Sequence, residues 1–192
     1  GRCVHAPAVA GYRASGVWVA VAIAGVAARM MGLTETQIAH AMGIAEYHGP
    51  RSQMMRCIDH PTMLKDASGW GAMCGVSAAR MAKAGFTGAP ALTLQTEHYK
   101  DLGKNWLVTQ QYFKPYPVCR WAQAPIAAVL DLKVQHNIQS KDISGVHITS
   151  FHEAVRLGQK IVTNTEEAQY STSFPCAVAP VSYTHPTQPH IY

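Results

Sequence analysis

Acidic side chains are scarce in this chain: eleven Asp and Glu face sixteen Lys and Arg among 192 residues, and only 14% of residues are charged. The net charge of +5 and the pI near 9.0 therefore come from missing acids, because no basic run exists. Tracking a nucleic-acid backbone takes clustered Lys and Arg, so no nucleic-acid partner is expected, and a small anionic ligand suits the diffuse positive charge better. The five cysteines, Cys3, Cys57, Cys74, Cys119 and Cys176, are odd in number and scattered, and no C-x-x-C pair occurs. That disfavours a disulfide framework or a zinc site and leads to the expectation of a reducing, cytoplasmic setting. Long apolar runs are lacking as well. The most apolar stretch, Val17 to Ala28, is closed by Arg29 and falls short of the roughly 20 residues of a bilayer span, so no membrane partner is expected and the stretch reads as a buried helix. Neither a signal peptide nor an initiator Met opens the chain, and a start inside a longer protein is expected. Gly-rich phosphate fingerprints, H-E-x-x-H and G-x-S-x-G are also missing, which speaks against nucleotide, metalloprotease and serine-hydrolase chemistry.

Hydrophobic residues make up 48% of the chain, enough for a core in one domain or in parts of two. Ser15 precedes a Gly/Ala/Val-rich run that stops at Gly32, a residue able to take the left-handed conformation that ends a helix. Thr34-Glu35-Thr36-Gln37 has the form of a capping box, followed by Ile38, Ala41, Met42 and Ala45 at helical spacing. Two antiparallel helices joined by a tight turn are thus predicted. Tyr47 to Asp66, interrupted by Gly49, Pro50 and Pro61, reads as loop. Beyond it Trp70, Met73, Cys74, Ser77 and Met81 mark one face of a third helix that stops near Gly85.

The character then changes. Trp106 to Phe113 has strand composition and runs into Lys114-Pro115-Tyr116-Pro117, which ends any strand. A helix from about Trp121 carries Ile126, Val129, Leu130 and Val134 on one face, and Gly145 to Phe151 alternates as a strand would. Asn164 or Thr165 caps a last helix whose Glu166 and Glu167 meet the positive end of its dipole. Helices first and a β-α-β-α order afterwards predict two domains of different class, 1–110 and 111–179, in a mostly α chain. Residues 180–192 hold three prolines and no periodicity, and Val181-Ser182-Tyr183-Thr184-His185 resembles a translated sequencing adaptor; this tail is expected to be non-native.

Three places concentrate residues fit for chemistry. The polar loop packs His48, Arg51, Arg56, Asp59 and His60 between apolar helices, and loops held by rigid helices are where sites are built. The same composition also describes a solvated connection whose histidines cap helix ends. Lys65 lies just before the third helix, whose positive end favours a nearby anion, although by residue type alone an ordinary surface lysine is the favoured reading. Cys119-Arg120 follows the Tyr-Pro turn, where a rigid backbone can aim the arginine fork at a carboxylate or merely leave it in solvent above a packed cysteine. His147 and His152 read as ordinary polar residues on or after a strand. Acid–base work on an anion by His, Lys and Arg is what remains once nucleophilic and metal chemistry are disfavoured.

Six motifs in order carry a resemblance that runs to about residue 179. They are the helix ending Arg29-Met30-Met31-Gly32-Leu33, Ala41-Met42-Gly43-Ile44-Ala45, Met63-Leu64-Lys65 with Gly69-Trp70-Gly71-Ala72, Ala84-Gly85-Phe86-Thr87-Gly88, Phe113-Lys114-Pro115-Tyr116-Pro117-Val118-Cys119-Arg120, and Thr165-Glu166-Glu167-Ala168-Gln169-Tyr170-Ser171. Together they resemble the MmgE/PrpD family, which includes 2-methylcitrate dehydratase, cis-aconitate decarboxylase and iminodisuccinate epimerase. The resemblance implies a large all-helical domain, a smaller α+β lid and a site in the cleft between them. It implies an enzyme without cofactor or metal, typically a homodimer, that acts on small di- and tricarboxylates. Lys65 falls on the family's active-site lysine.

Two positions depart from the pattern: Cys119 stands where many members place a lid histidine, and Gly11-Tyr12-Arg13 stands for a Gly-aromatic-His opening. Arg13 can clamp a carboxylate but cannot act as a base near neutral pH. On this reading a base, His60, His48 or a residue outside the chain, removes a proton alpha to a carboxylate while Lys65, Arg51, Arg56 and Arg120 hold the anionic groups. A non-catalytic member that only binds an acid or dimerises is the alternative. Family members are much longer, so the chain is expected to be an internal fragment, inactive by itself.

Overall fold

The computed structural model describes residues 13–158 and 160–182. The chain divides into two compact units, one of residues 13–57 and 64–111, the other of 58–63 and 112–182. In the first unit lie α1 (Gly16–Met30), α2 (Glu35–His48) and α4 (Ser68–Lys83); the short α3 (Met55–Asp59), inside the stretch expected to be loop throughout, has residues in both units.

The antiparallel α1–α2 pair forms as predicted. Gly32 takes φ +69°, which lets the Leu33 amide reach back to the Ala28 carbonyl at 3.1 Å and close the end of α1. Thr34 and Gln37 then make both bonds of the capping box that starts α2. Ser15 does not cap α1 as expected. Its hydroxyl donates instead to the Asp66 carbonyl at 2.7 Å, and its amide donates to Asp66 Oδ1 at 3.0 Å, because the start of α1 is docked on the start of α4.

The buried cluster of this bundle consists almost wholly of alanine: Ala20, Ala24 and Ala28 of α1, Ala41 and Ala45 of α2, Ala78, Ala79 and Ala82 of α4, with Ile44 the one large member. Small residues allow backbones to meet. A Cβ added at Gly71 would stand 2.9 Å from the Gly16 carbonyl oxygen, and one at Gly75 would stand 2.6 Å from that of Ala20. Pairing 16 with 71 and 20 with 75 makes α1 and α4 parallel, whereas Gly25 against Met42 and Gly49 against Ala20 make α2 antiparallel to α1. This seam turns the face predicted for α4: Cys74 and Met81 pack against the cluster as expected, whereas Trp70, Met73 and Ser77 do not. Trp70 and Met73 are 65% and 52% exposed, and Gly71, Gly75, Ala78, Ala79 and Ala82 are buried. Close approach selects for small side chains, so the large apolar residues that dominate a hydrophobicity pattern were displaced to the outside.

The segment after α4 lies over α2. The Ala89 carbonyl sits against Gly43, and the Glu46 carboxylate accepts the amides of Leu92 and Thr93, each at 2.7 Å. The strand predicted for 106–113 is absent: residues 107–110 form a 3-10 turn in which the amide and hydroxyl of Thr109 both bond the Trp106 carbonyl, at 3.0 and 2.8 Å. That local alternative satisfies the backbone before any ladder can.

The second unit holds α5 (Gln123–Gln135), α6 (His152–Arg156), α7 (Thr165–Tyr170) and α8 (Ser173–Ser182). Ala122, Ile126, Cys176 and Ala179 form its core, with Val129 and Leu130 packed alongside. Val134, placed on the same face by sequence, is 81% exposed, because the buried stripe of α5 ends a turn earlier. No ladder forms at 145–151 either. Among the described residues the isolated bridge of Arg13 with Gln53 is the one β contact, and an extended segment without a paired neighbour is not a strand. The mostly α class holds, and the expected β content of the second unit is missing from the described residues. Asn164 caps α7 by accepting the Glu167 amide at 2.9 Å. Helix α8 had no counterpart in the sequence reading: it continues through Pro180, whose carbonyl accepts from Lys133 Nζ and Ser140 Oγ, while 183–192 lie outside the described residues.

Two expected results follow. Burial pushes the Cys176 thiol above its ordinary pKa, so its thiolate is disfavoured. Iodoacetamide mapping by mass spectrometry should find Cys176 modified far more slowly than half-buried Cys57 until denaturant is added. The Glu167 carboxyl, which accepts the amide and hydroxyl of Thr163 at 2.7 and 2.8 Å, is held below the usual glutamate range by those bonds. A folded pKa below the unfolded one stabilises at pH above the unfolded value and is lost as pH falls through the folded one. Carboxyl-carbon NMR should show Glu167 titrating below the usual glutamate range, and Glu167→Gln should remove the corresponding acid-limb loss of α7.

Candidate functional site

One end of the alanine bundle gathers the starts of α1 and α4 and the finish of α2. The marks of this meeting are tight: a Cβ at Gly16 would touch the Ala67 carbonyl at 2.8 Å and Pro50 at 3.0 Å. The polar connection from α2 to α4 is tied down here. Arg13 Nη1 donates to the Arg51 carbonyl at 3.1 Å, the Ala14 amide donates to Ser52 at 2.9 Å, and Arg51 itself donates to the Glu46 carbonyl. Arg13 and Arg51 are thus brought together. His48, the last residue of α2, is exposed at the same end, its ring edge-on to Tyr47. Arg56 is exposed on α3, with a long 3.5 Å bond to the Ser52 hydroxyl.

Lys65 is exposed immediately before α4. Its carbonyl accepts the Ala67 amide at 2.7 Å, and Ala67 takes φ +56°, an uncommon left-handed conformation for a residue with a side chain. This kink throws the chain into the first turn of α4. Two acids of the first unit are engaged by backbone donors: Asp66 takes the Ser15 amide, and Glu46 takes Leu92 and Thr93. The starts of two parallel helices thus stand beside Arg13, Arg51 and Lys65, offset in part by the end of α2 and by Asp66 at the start of α1. Such an end favours an anion.

In the second unit the Tyr-Pro turn is built around one buried polar side chain that the sequence reading overlooked. Gln123 is 5% exposed; its Oε1 accepts the Tyr116 amide at 3.1 Å, and its Nε2 donates to the carbonyls of Tyr116, Val118 and Cys119 at 2.9, 3.1 and 3.3 Å. A glutamine at the first position of a helix after a proline turn was the available signal. The Cys119 amide donates to the Gln169 carbonyl at 2.7 Å, and the thiol is half-buried. Arg120 is exposed, and Lys114 Nζ, also unremarked in the sequence, donates to the Val118 carbonyl at 3.1 Å, which sets a second cation on this turn. Gln123→Leu should remove the bond to the Tyr116 amide and one of the bonds to each of three carbonyls, which keep the Val118 amide, Lys114 Nζ and the Ala122 amide as partners, and cost about 1–3 kcal/mol, read as a lower denaturant midpoint with loss of order at residues 116–119 by NMR.

His60 is exposed and belongs to the second unit, where the neighbouring Asp59 pairs with Arg156 and its carbonyl accepts from Lys160 Nζ at 2.7 Å. Arg120 also borders a groove of about 700 Å³ along α5, walled by Trp121, Ala124, Ala128, Val146 and His147. Among the described residues no group of three or more His, Cys, Asp or Glu side chains is placed to hold a metal, and no helix is long and apolar enough to cross a membrane.

A profile of the MmgE/PrpD N-terminal domain matches residues 1–106, and one of the MmgE/PrpD C-terminal domain matches residues 116–183. No curated protein and no solved structure matches the chain.

Proposed function

Because the chain belongs to the MmgE/PrpD family, a family that includes dehydratases and related enzymes, we propose that it acts as a cofactor-independent lyase or isomerase on a small di- or tricarboxylate. The observation that carries this reading is the cation-rich end of the alanine bundle, where Arg13, Arg51 and Lys65 stand at two helix N-termini while Asp66 and Glu46 are spent on backbone amides. There the arginines fork onto carboxylates, and Lys65 exchanges a proton at the carbon alpha to one of them or at the departing group. Arg120 and Lys114, on the turn of the second unit, are separate candidates for holding an anionic group, and His48 or His60 is the candidate base. A cytoplasmic, homodimeric enzyme is part of the same proposal.

The test is NMR of the full-length protein with citrate and 2-methylcitrate in deuterated water. Deuterium entering the alpha position, or an unsaturated or decarboxylated product, is the expected result; binding without exchange or product overturns it. Arg13 favours a second reading, a carboxylate-binding member without turnover, since an arginine committed to the Arg51 carbonyl replaces a group able to take a proton. The same experiment separates the two.

A further inference from the structure

Arg120 is engaged along one edge only. Its Nε donates to the Tyr112 hydroxyl, and its guanidinium carbon lies 4.4 Å from the centroid of the Tyr112 ring. Among the described residues nothing bonds Nη1 or Nη2. Those two nitrogens are one of the two edges that can grip a carboxylate side by side, and the other edge contains the Nε now occupied. The hydroxyl partner is neutral, so the guanidinium keeps its full charge, whereas an acidic partner would offset it. Stacking and the hydrogen bond act together on a long side chain that would otherwise lose its rotamer freedom upon gripping an anion.

The backbone on both sides is firm. Between Tyr112 and Arg120 runs the Lys114-Pro115-Tyr116-Pro117 turn, which Gln123 clamps from within. Tyr112 is itself 61% exposed and makes no other hydrogen bond among the described residues, so its ring fills no core position.

We propose that Tyr112 is a positioning residue, which locks Arg120 by its Nε edge and leaves the Nη1/Nη2 pair to take one carboxylate of an anionic substrate end-on. This rests on the reading of Arg120 as a carboxylate holder.

The experiment is isothermal titration of the full-length protein with citrate, with a thermal melt of each variant. Tyr112→Phe keeps the ring and loses the hydroxyl; it should raise the citrate Kd about three- to tenfold, with an unchanged melt. Tyr112→Leu should raise it further, toward the value of Arg120→Ala. In an Arg120→Ala background, Tyr112→Phe should change nothing, which a merely structural tyrosine would not satisfy. Normal affinity in both Tyr112 variants beside a weakened Arg120→Ala overturns the role of Tyr112 alone, as does an effect of Tyr112→Phe that persists without Arg120. Normal affinity in Arg120→Ala overturns the carboxylate role of Arg120, and no citrate binding by the unaltered protein overturns both.

Discussion

Lys65→Ala is expected to lower kcat/KM by about 10²–10⁴ in the full-length enzyme, the usual loss for a positioned acid–base group, while the melting temperature stays where it was. The second half of that expectation comes from exposure: the Lys65 side chain lies on the surface and adds nothing to the alanine cluster beneath. Lys65→Arg should rescue little. The planar fork preserves charge at the helix N-terminus, but it cannot give up a proton near neutral pH. Steady-state kinetics of both variants beside their melts provide the check. Near-normal turnover in Lys65→Ala would make the lysine a bystander and move the chemistry elsewhere.

The largest effect on stability is expected at Gly43. A Cβ there would stand 1.7 Å from the Ala89 carbonyl oxygen and 2.9 Å from its carbon, and the obstacle is backbone, which no rotamer change can clear. Gly43→Ala must therefore push the 84–95 segment off α2 and strain the bonds from Leu92 and Thr93 to Glu46. Overpacking of this kind costs about 3 kcal/mol, which corresponds to a fall of roughly 6–12 °C in the melting temperature. Gly69→Ala is the contrast. Nothing lies within 4 Å of that position, and in a helix the added methyl should be neutral or stabilising by about 0.5–1 kcal/mol. Equal melts for the two variants would contradict the close approach at Gly43.

Local signals in the sequence were read correctly where a bond connects residues a few positions apart. The Thr34–Gln37 box, the left-handed stop at Gly32 and the Asn164 cap are of that kind, since each is completed within five residues. What failed depended on partners distant in sequence. Ser15 looks like a cap until Asp66, fifty-one residues on, claims both its amide and its hydroxyl. Trp70 and Met73 look like a core face until the small residues of α1 reward a backbone-to-backbone fit with α4. The stretch 145–151 alternates as a strand should, and alternation says nothing about whether a neighbour is present. At the candidate site, Arg51 and Lys65 were legible as residue types in a polar loop and Arg13 as a departure at the opening of the first helix, but their gathering at one bundle end follows from the parallel run of α1 and α4, which periodicity does not encode. Gln123 was hidden because a polar residue at the start of a helix ordinarily faces water, and this one turns inward to hold three carbonyls.

The parallel run of α1 and α4 also separates two kinds of evolutionary freedom. At Gly16, Gly71 and Gly75 the first side-chain atom already collides with main chain, so a mutational scan should find these sites nearly closed to every substitution. The end of α2 and the start of α4 lie at one end of the bundle, where a short turn could join them, and the chain instead runs through residues 49–67 before α4 begins. That passage is longer than the topology needs, and nine of its nineteen residues, Arg51, Arg56, His60 and Lys65 among them, are exposed, so that their exchange leaves the seam untouched. A lineage built on this bundle can thus revise its reactive residues by point mutation at little risk to folding, and divergence should accumulate in the crossing segment while the glycines of the seam stay fixed.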